Sequence, residues 1–369
     1  MKHKFNDIYL VIFLFITWRL FIFTVAAIAP KFIPNFGGTF PYYNERLIST
    51  GLPYYIWSFG NFDGVHYLGI ARDAYAYQFT QAFFPLYPIL IKLVSMILFN
   101  KYLISALLIS NICFLAALLL FYNLTKRIYS KSVALWSCVF LISFPTSFYF
   151  GSIYTESLFL LLVVLSFYFF EQNKIILASL IGGIASFSRL VGIFLAPALV
   201  KKITIKNLIP ILIVPTGLII YMIYLQYKFH NALYFLTAQS AFGQERATTK
   251  IVLLPQVIYR WIAQITSSHG PQLFVSTFEL AATLFALLTL IVGARKVKRE
   301  WLIFSSLALI TPTLTGSLAS MPRYILVAFP IFIILAHIKN LYIKLFITAT
   351  FIILLTYCVS MFTRGYWIA

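Results

Sequence analysis

Acidic side chains are scarce in this chain. Nine aspartates and glutamates stand among 369 residues, against 28 lysines and arginines, and the formal net charge is +19. Charged residues make up 10% of the sequence, and hydrophobic residues 62%. A soluble domain carries roughly 25% charge, so a soluble fold of this length has no means of covering its apolar surface. Cysteine is also rare: Cys113, Cys138 and Cys358 all fall inside apolar runs, which removes a disulfide framework and a structural zinc site from consideration. The five histidines are scattered without metal-ligand spacing. GxGxxG, phosphate-loop, HExxH and GxSxG motifs are missing, and so is any long internal repeat. The basic residues form short clusters rather than a long tract. That pattern argues against nucleic-acid binding and for the cytoplasmic loops of a membrane protein.

What the chain does have is long apolar runs from one end to the other. They predict an all-α polytopic membrane protein with about eleven transmembrane helices. The spans are expected near Ile8–Ala29, Leu103–Tyr122, Val133–Phe148, Thr155–Phe170, Ile175–Phe187, Leu190–Val200, Leu208–Tyr227, Leu273–Gly293, Leu302–Leu318, Tyr324–Ile338 and Leu341–Met361. The first run is long for a signal segment and lacks a small-residue cleavage site, so it is expected to be retained. The two pieces around Arg189 are each short of a full span and read as a shallow hairpin with Arg189 at its tip, at an interface, in preference to one long helix. The run Phe83–Phe99 carries Pro85, Pro88 and Lys92 and reads as a juxtamembrane or re-entrant segment.

Charge sets the expected orientation. Lys2 and Lys4, the Lys126-Arg127-Lys131 cluster, Lys174, Lys201-Lys202-Lys206, Arg295-Lys296-Lys298-Arg299 and Lys339 fall on one side under this count, and the positive-inside rule makes that side cytoplasmic. The N-terminus is then inside. A single integral-membrane domain, 1–369, would carry a large first extracytoplasmic loop over 30–102 and a second outer segment over 228–272. Counting Phe83–Phe99 as a span would move the Lys126–Lys131 cluster outside.

Two of the nine acids, Asp63 and Asp73, stand together with His66 and Arg72 in the first outer loop. A carboxylate beside lipid is costly unless water or function keeps it there. Asp63 suits a helix N-cap in the turn Phe62-Asp63-Gly64, the reading that residue type alone favours, and a compatible second reading is a general base that takes a proton from an attacking hydroxyl. On a helix His66 shares its face, with Asp73 close to that face. Alternatively, His66, Arg72 and Asp73 form a solvated polar surface. The Phe83–Pro88 stretch reads as an interfacial anchor or as the wall of a lipid groove. Glu156 opens an apolar span, where a first-turn acid favours the helix dipole. Arg189 and Arg323 sit at expected outer helix ends, either snorkelling to headgroups or clamping a phosphate. Arg19 lies within the first span, and the sequence names no partner for it.

These residues carry a resemblance. Residues 62–77, FDGVHYLGIARDAYAY, followed by AFFPLYP at 82–88, resemble the first-loop motif of PIG-V type mannosyltransferases. The blocks SIYTESLF at 152–159, ASFSRLVG at 185–192 and RYILVAFP at 323–330 are similar to that family's later motifs, in the expected order. Phe62, Gly64 and Ala74 depart from the usual Trp, Ala and Gly. The resemblance implies a glycosyltransferase of the C superfamily, with a large first extracytoplasmic loop. It further implies an inverting transfer of a sugar, often mannose, from a polyprenyl-phosphate carrier to a glycan, lipid or protein acceptor on the extracytoplasmic face. Asp63 matches the catalytic position. His66, Arg72, Asp73, Tyr75, Glu156, Arg189, Arg323 and Tyr324 are the matching candidates for substrate binding. No cofactor is expected and a divalent metal is left open. A transporter or flippase of lipid-linked sugars is the competing class, since it explains many spans and Arg19 without chemistry.

Overall fold

The computed structural model describes residues 2–201, 204–242 and 251–369. Lys202, Gln244 and the 243–250 part of the expected second outer segment lie outside these residues, as do the side chains of Lys2, Lys4 and Lys206. Every regular element among the described residues is helical. The helices of seven or more residues are α1 (Lys2–Phe32), α2 (Asp63–Asp73), α3 (Leu86–Ile97), α4 (Tyr102–Ile128), α5 (Lys131–Ser143), α6 (Glu156–Glu171) and α7 (Ile175–Ser188). They continue with α8 (Ile205–Ile211), α9 (Thr216–Phe229), α10 (Leu254–Ser267), α11 (Gly270–Gly293), α12 (Arg299–Thr313), α13 (Pro330–Ala336) and α14 (Leu341–Thr363).

Four helices among the described residues are long and apolar enough to cross a membrane: Asp7–Phe32, Tyr102–Ile128, Gly270–Lys296 and Leu341–Thr363. The other expected spans are present as shorter or broken helices, and proline explains most of the breaks. The Val133–Phe148 run stops helically at Ser143, because Phe144 precedes Pro145 and takes extended backbone. The Tyr324–Ile338 run restarts at Pro330, a residue that opens helices but does not continue them. Leu208–Tyr227 divides before Thr216, just after Pro215. Leu190–Val200 is a short 3₁₀ turn followed by a four-residue helix holding Pro197. The Phe83–Phe99 run yields the 12-residue α3, too short to span.

The long helices divide their faces between protein and surroundings. On α1, Val11, Trp18, Ile22, Val25 and Ala29 are buried at helical spacing, while Phe13, Leu20 and Phe32 are exposed. On α13 every residue is buried, so its apolarity serves a protein core rather than a lipid contact.

The molecule has two chemically distinct ends. At one end Asp7 pairs with Lys126 and Lys131, Lys298 with Glu171 at 3.1 Å, and Lys201 with Asn173 at 3.1 Å. The Tyr129 ring meets Trp301 and His337 there. At the other end lies the first-loop segment, tied to the chain's C-terminal residues. Arg364 donates to the Ile33 carbonyl at 2.7 Å, and Asn61 to the Phe362 carbonyl at 2.9 Å. Helix α6 runs from Glu156 at this end to Glu171 at the basic end, a rise of about 22 Å.

Candidate functional site

Helix α2 begins at Asp63, but Asp63 does not cap it. The capping position is Phe62, at φ 59° and ψ −115°, and no side chain caps the helix. The expected N-cap is thus replaced by a different arrangement. A non-glycine residue in this region costs about 1–3 kcal/mol and persists only where its surroundings dictate it. The surroundings here are aromatic: the Phe62 ring packs against Phe40, Trp367 and Phe362 at 4.9, 5.0 and 5.7 Å between centroids. Locked in this way, the turn sends the Asp63 carboxylate to Arg323, whose Nη1 donates to it at 2.8 Å.

From Arg323 the charges alternate. Its Nε lies 3.2 Å from Glu156 Oε1, and the same oxygen accepts from Arg189 Nη1 at 3.0 Å. Asp63, Arg323, Glu156 and Arg189 therefore form one chain of two carboxylates and two guanidiniums. Their side chains are 19%, 11%, 2% and 13% exposed, so Asp63 is the most open of the four and Glu156 the most enclosed. Neither arginine reaches out to headgroups as snorkelling requires. Burial works against the Arg323 charge, but Asp63 and Glu156 outweigh it and hold its pKa well above the ordinary value. The second Glu156 oxygen is buried with no hydrogen-bond partner among the described residues.

Aromatic rings enclose this chain. Tyr149, Tyr154, Tyr324 and Trp367 lie within 5.8 Å of the Arg323 guanidinium, and Phe159 and Tyr324 within 5.5 Å of that of Arg189. Burial pushes the Tyr149 and Tyr154 hydroxyls well above their ordinary range, so both remain protonated. Tyr154 donates to the Asn61 carbonyl at 2.9 Å and fastens the turn before Phe62. At Arg189 the backbone leaves the helix in an extended conformation, and the chain doubles back. Gly192 permits this: a Cβ there would lie 2.5 Å from the Ser186 backbone nitrogen.

The other candidates lie elsewhere on α2 and nearby. His66, one turn after Asp63, stacks on Phe83 at 5.1 Å and meets Phe242 edge-on at 5.2 Å. Burial lowers its pKa to about 4, so it is neutral at physiological pH. Arg72 and Asp73 pair with each other at 3.0 Å near the far end of α2, and Asp73 also accepts from Tyr77. They stand about 14 and 15 Å along the helix from Asp63. Tyr75 is buried and donates to the Phe83 carbonyl. It lines an apolar cavity of about 340 Å³ together with Ala74, Pro85, Pro88, Lys92 and Tyr221. The Phe83–Pro88 stretch thus forms part of a groove wall.

Two residues outside the motif blocks also belong to the surroundings of the candidate site. Glu279 lies buried in α11 and accepts from the Ser320 backbone nitrogen at 3.1 Å and from Trp261 at 3.3 Å. It holds the segment that presents Arg323. An acid inside an apolar span is a site candidate by default, and that signal was in the sequence. Arg46 lies buried across α2 and donates to the Val65 carbonyl at 2.8 Å. No sequence pattern marks it. Arg19 finds its partners in the faces of Phe23 and Phe59, at 3.9 and 4.9 Å, with Gly151 making room. Among the described residues no three His, Cys, Asp or Glu side chains cluster as metal ligands.

Comparison with known proteins agrees with the motif pattern. A sequence profile described as Mannosyltransferase (PIG-V) matches residues 8–205, more than half of the chain. GPI mannosyltransferase 2 of Drosophila pseudoobscura pseudoobscura is 26% identical over 136 residues, which cover 34% of this chain and 29% of that relative. The match therefore spans less than a third of the relative's length. Asp63, Glu156 and Arg189 fall inside the profile match. Arg323 falls beyond it, and only the fold brings it to Asp63. The extent of the profile match places the chain in a family: it belongs to the PIG-V mannosyltransferases.

Proposed function

We propose that this chain is an inverting mannosyltransferase that uses a polyprenyl-phosphate-linked sugar donor. Asp63 accepts the proton of an acceptor hydroxyl as that oxygen attacks the anomeric carbon. The bond from the anomeric carbon to the phosphate oxygen breaks, and the lipid phosphate leaves. Arg323 and Arg189 stabilise its charge through donors that are already in place. Glu156 keeps both guanidiniums in position. In the absence of donor Arg323 rests on Asp63; the incoming phosphate competes for that guanidinium and frees the carboxylate to act as a base. One base with cationic donors suits this transfer better than the two-carboxylate pairing of a glycoside hydrolase. The reaction needs no cofactor in this scheme.

The single observation that carries the reading is the Asp63–Arg323–Glu156–Arg189 chain, which joins residues from four separate motif blocks. The apolar cavity beside Tyr75 suits a polyprenyl tail, with Lys92 at its wall. The basic end lies about 22 Å from Glu156 along α6, which supports an extracytoplasmic site if that end is cytoplasmic. Charges gathered at one end favour the enzyme over a transporter or flippase, whose charges belong near the midplane. The acceptor is a glycan, lipid or protein hydroxyl.

The test is transfer of labelled mannose from polyprenyl-phosphate-mannose by Asp63→Asn. General-base help is worth on the order of a hundred- to ten-thousand-fold in rate. Transfer is expected to collapse by that factor while folding and donor binding survive. Nucleotide-mannose is expected to give nothing with either form. Near-normal turnover by the variant would end the assignment.

A further inference from the structure

A second cavity, of about 350 Å³, flanks α2 and is separate from the Asp63 cluster. Its walls include Leu68 and Arg72 of α2, Glu45 and Arg46 of the first-loop segment, and Lys101 and Ile104 at the start of α4. We infer that this cavity binds the phosphate of a membrane-lipid headgroup.

The charges favour an anion. Arg46 is 6% exposed, and no carboxylate pairs with it among the described residues. Its Nη1 donates to the Val65 carbonyl, and its Nη2 is buried with no hydrogen-bond partner among the described residues. Tyr42 and Tyr77 present their ring faces at 4.1 and 4.8 Å. Among the described residues this buried guanidinium is held by one carbonyl and two rings, without the anionic partner such a group usually has. Lys101 is exposed and also has no ion-pair partner among the described residues. The opposing acids are Glu45 at the wall and Asp73, which Arg72 already occupies. With Arg72 and Asp73 paired, Arg46 and Lys101 stand against the single acid Glu45 among the described residues, and the balance is one net positive charge.

The fold makes room for this guanidinium. A Cβ on Gly69 would lie 2.0 Å from Arg46 Nη1, so any other residue there displaces the arginine from α2. The position indicates the source of the phosphate. Lys101 immediately precedes the spanning helix α4, and Ile97, Phe99 and Ile104, within four residues of it in sequence, are exposed. A cation at the end of a span, flanked in sequence by exposed apolar side chains, stands at headgroup depth. The inference does not depend on the transferase reading, because none of the residues in the Asp63 chain lines this cavity.

The experiment uses the full-length chain, delipidated in an uncharged detergent, with binding read by titration. The probes are short-chain phosphatidylglycerol, dioctanoylglycerol and inorganic phosphate. Saturable binding of phosphatidylglycerol is expected, weakened roughly tenfold or more by Lys101→Glu, an exposed position that leaves folding intact. Gly69→Ala is expected to weaken it as well, with folding checked by melting. Arg127→Gln, at the opposite end of α4, is expected to leave it unchanged. Wild-type affinity in Lys101→Glu would overturn the site. Equal binding of dioctanoylglycerol would overturn phosphate recognition. Inorganic phosphate that binds in a form the lipid cannot displace would overturn the lipid source.

Discussion

At the scale of single residues, the candidate site is a chain of four charges in which each member restrains its neighbour. Glu156 is the most enclosed member and touches both arginines. Removing one partner of a buried ion pair leaves an uncompensated charge and costs about 3–5 kcal/mol. Glu156→Ala is expected to lower the melting temperature of the purified protein and to abolish transfer together with it. Arg323→Ala and Arg189→Ala are expected to weaken use of the lipid-phosphate donor by about 2 kcal/mol or more each, read as kcat/KM. Unchanged kinetics in both folded variants would leave the arginines structural. His66 supplies a pH signature. Burial lowers its pKa to about 4 from an ordinary 6.5. Between those values the unfolded chain binds more protons than the folded one, so stability falls as pH drops through that window. Melting temperatures taken from pH 7 to pH 4 are expected to fall less steeply in His66→Phe. Parallel curves for the two proteins would remove His66 as a source of the dependence.

At the scale of elements, α2 is the organising piece. Its first residue is Asp63, one flank faces the cationic cavity and another faces the apolar one. Both of its ends are strained. Phe62 precedes it at φ 59°, and Ala74 follows it at φ 55° and ψ −152°. Glycine reaches this backbone region without a Cβ clash, and the motif that residues 62–77 resemble has Gly where Ala74 stands. Ala74→Gly is expected to leave stability unchanged or raise it by about 1 kcal/mol, because relief of strain exceeds the added entropy of the unfolded chain. A clear loss of stability in thermal melts would mean that the Ala74 methyl group packs more usefully than its strain costs. Phe62→Ala is expected to act the other way: without the ring contacts to Phe40, Phe362 and Trp367, the turn loses what holds Asp63 against Arg323.

At the scale of the whole molecule, the two ends differ in kind. The basic end pairs its enclosed acids, Asp7 and Glu171, with exposed or half-exposed lysines, whereas the other end encloses the Asp63 chain in aromatic rings. The positive-inside rule then gives an expected outcome for labelling. In a background without the native cysteines, Gly38→Cys is expected to react with an impermeant thiol reagent in intact cells. Gly38 has open space around it. Lys296→Cys, at the basic end, is expected to react only after permeabilisation. The reverse pattern would place the site on the cytoplasmic face and overturn the proposed donor.

Much of this was legible in the sequence, because composition and local pattern report local physics. The helical class followed from long apolar runs, which have no other way to satisfy their backbone. Asp63, Glu156, Arg189 and Arg323 stood out as charges that apolar surroundings make costly, each within a short recognisable block. Span lengths were less legible. Hydropathy registers burial in protein and in lipid alike, so α13 reads as a span although protein covers all of it, and proline breaks interrupt runs that a hydropathy count treats as continuous. The cap predicted at Asp63 failed because local propensity lost to the packing of the Phe62 ring, which draws on Phe362 and Trp367 three hundred residues away. The Asp63–Arg323 contact, the hold of Glu279 on the Arg323 segment and the seat of Arg46 on Gly69 were beyond the sequence for the same reason. A charge's cost is set by its own position, but its partner is chosen by tertiary packing, which alone brings distant parts of the chain within hydrogen-bond reach.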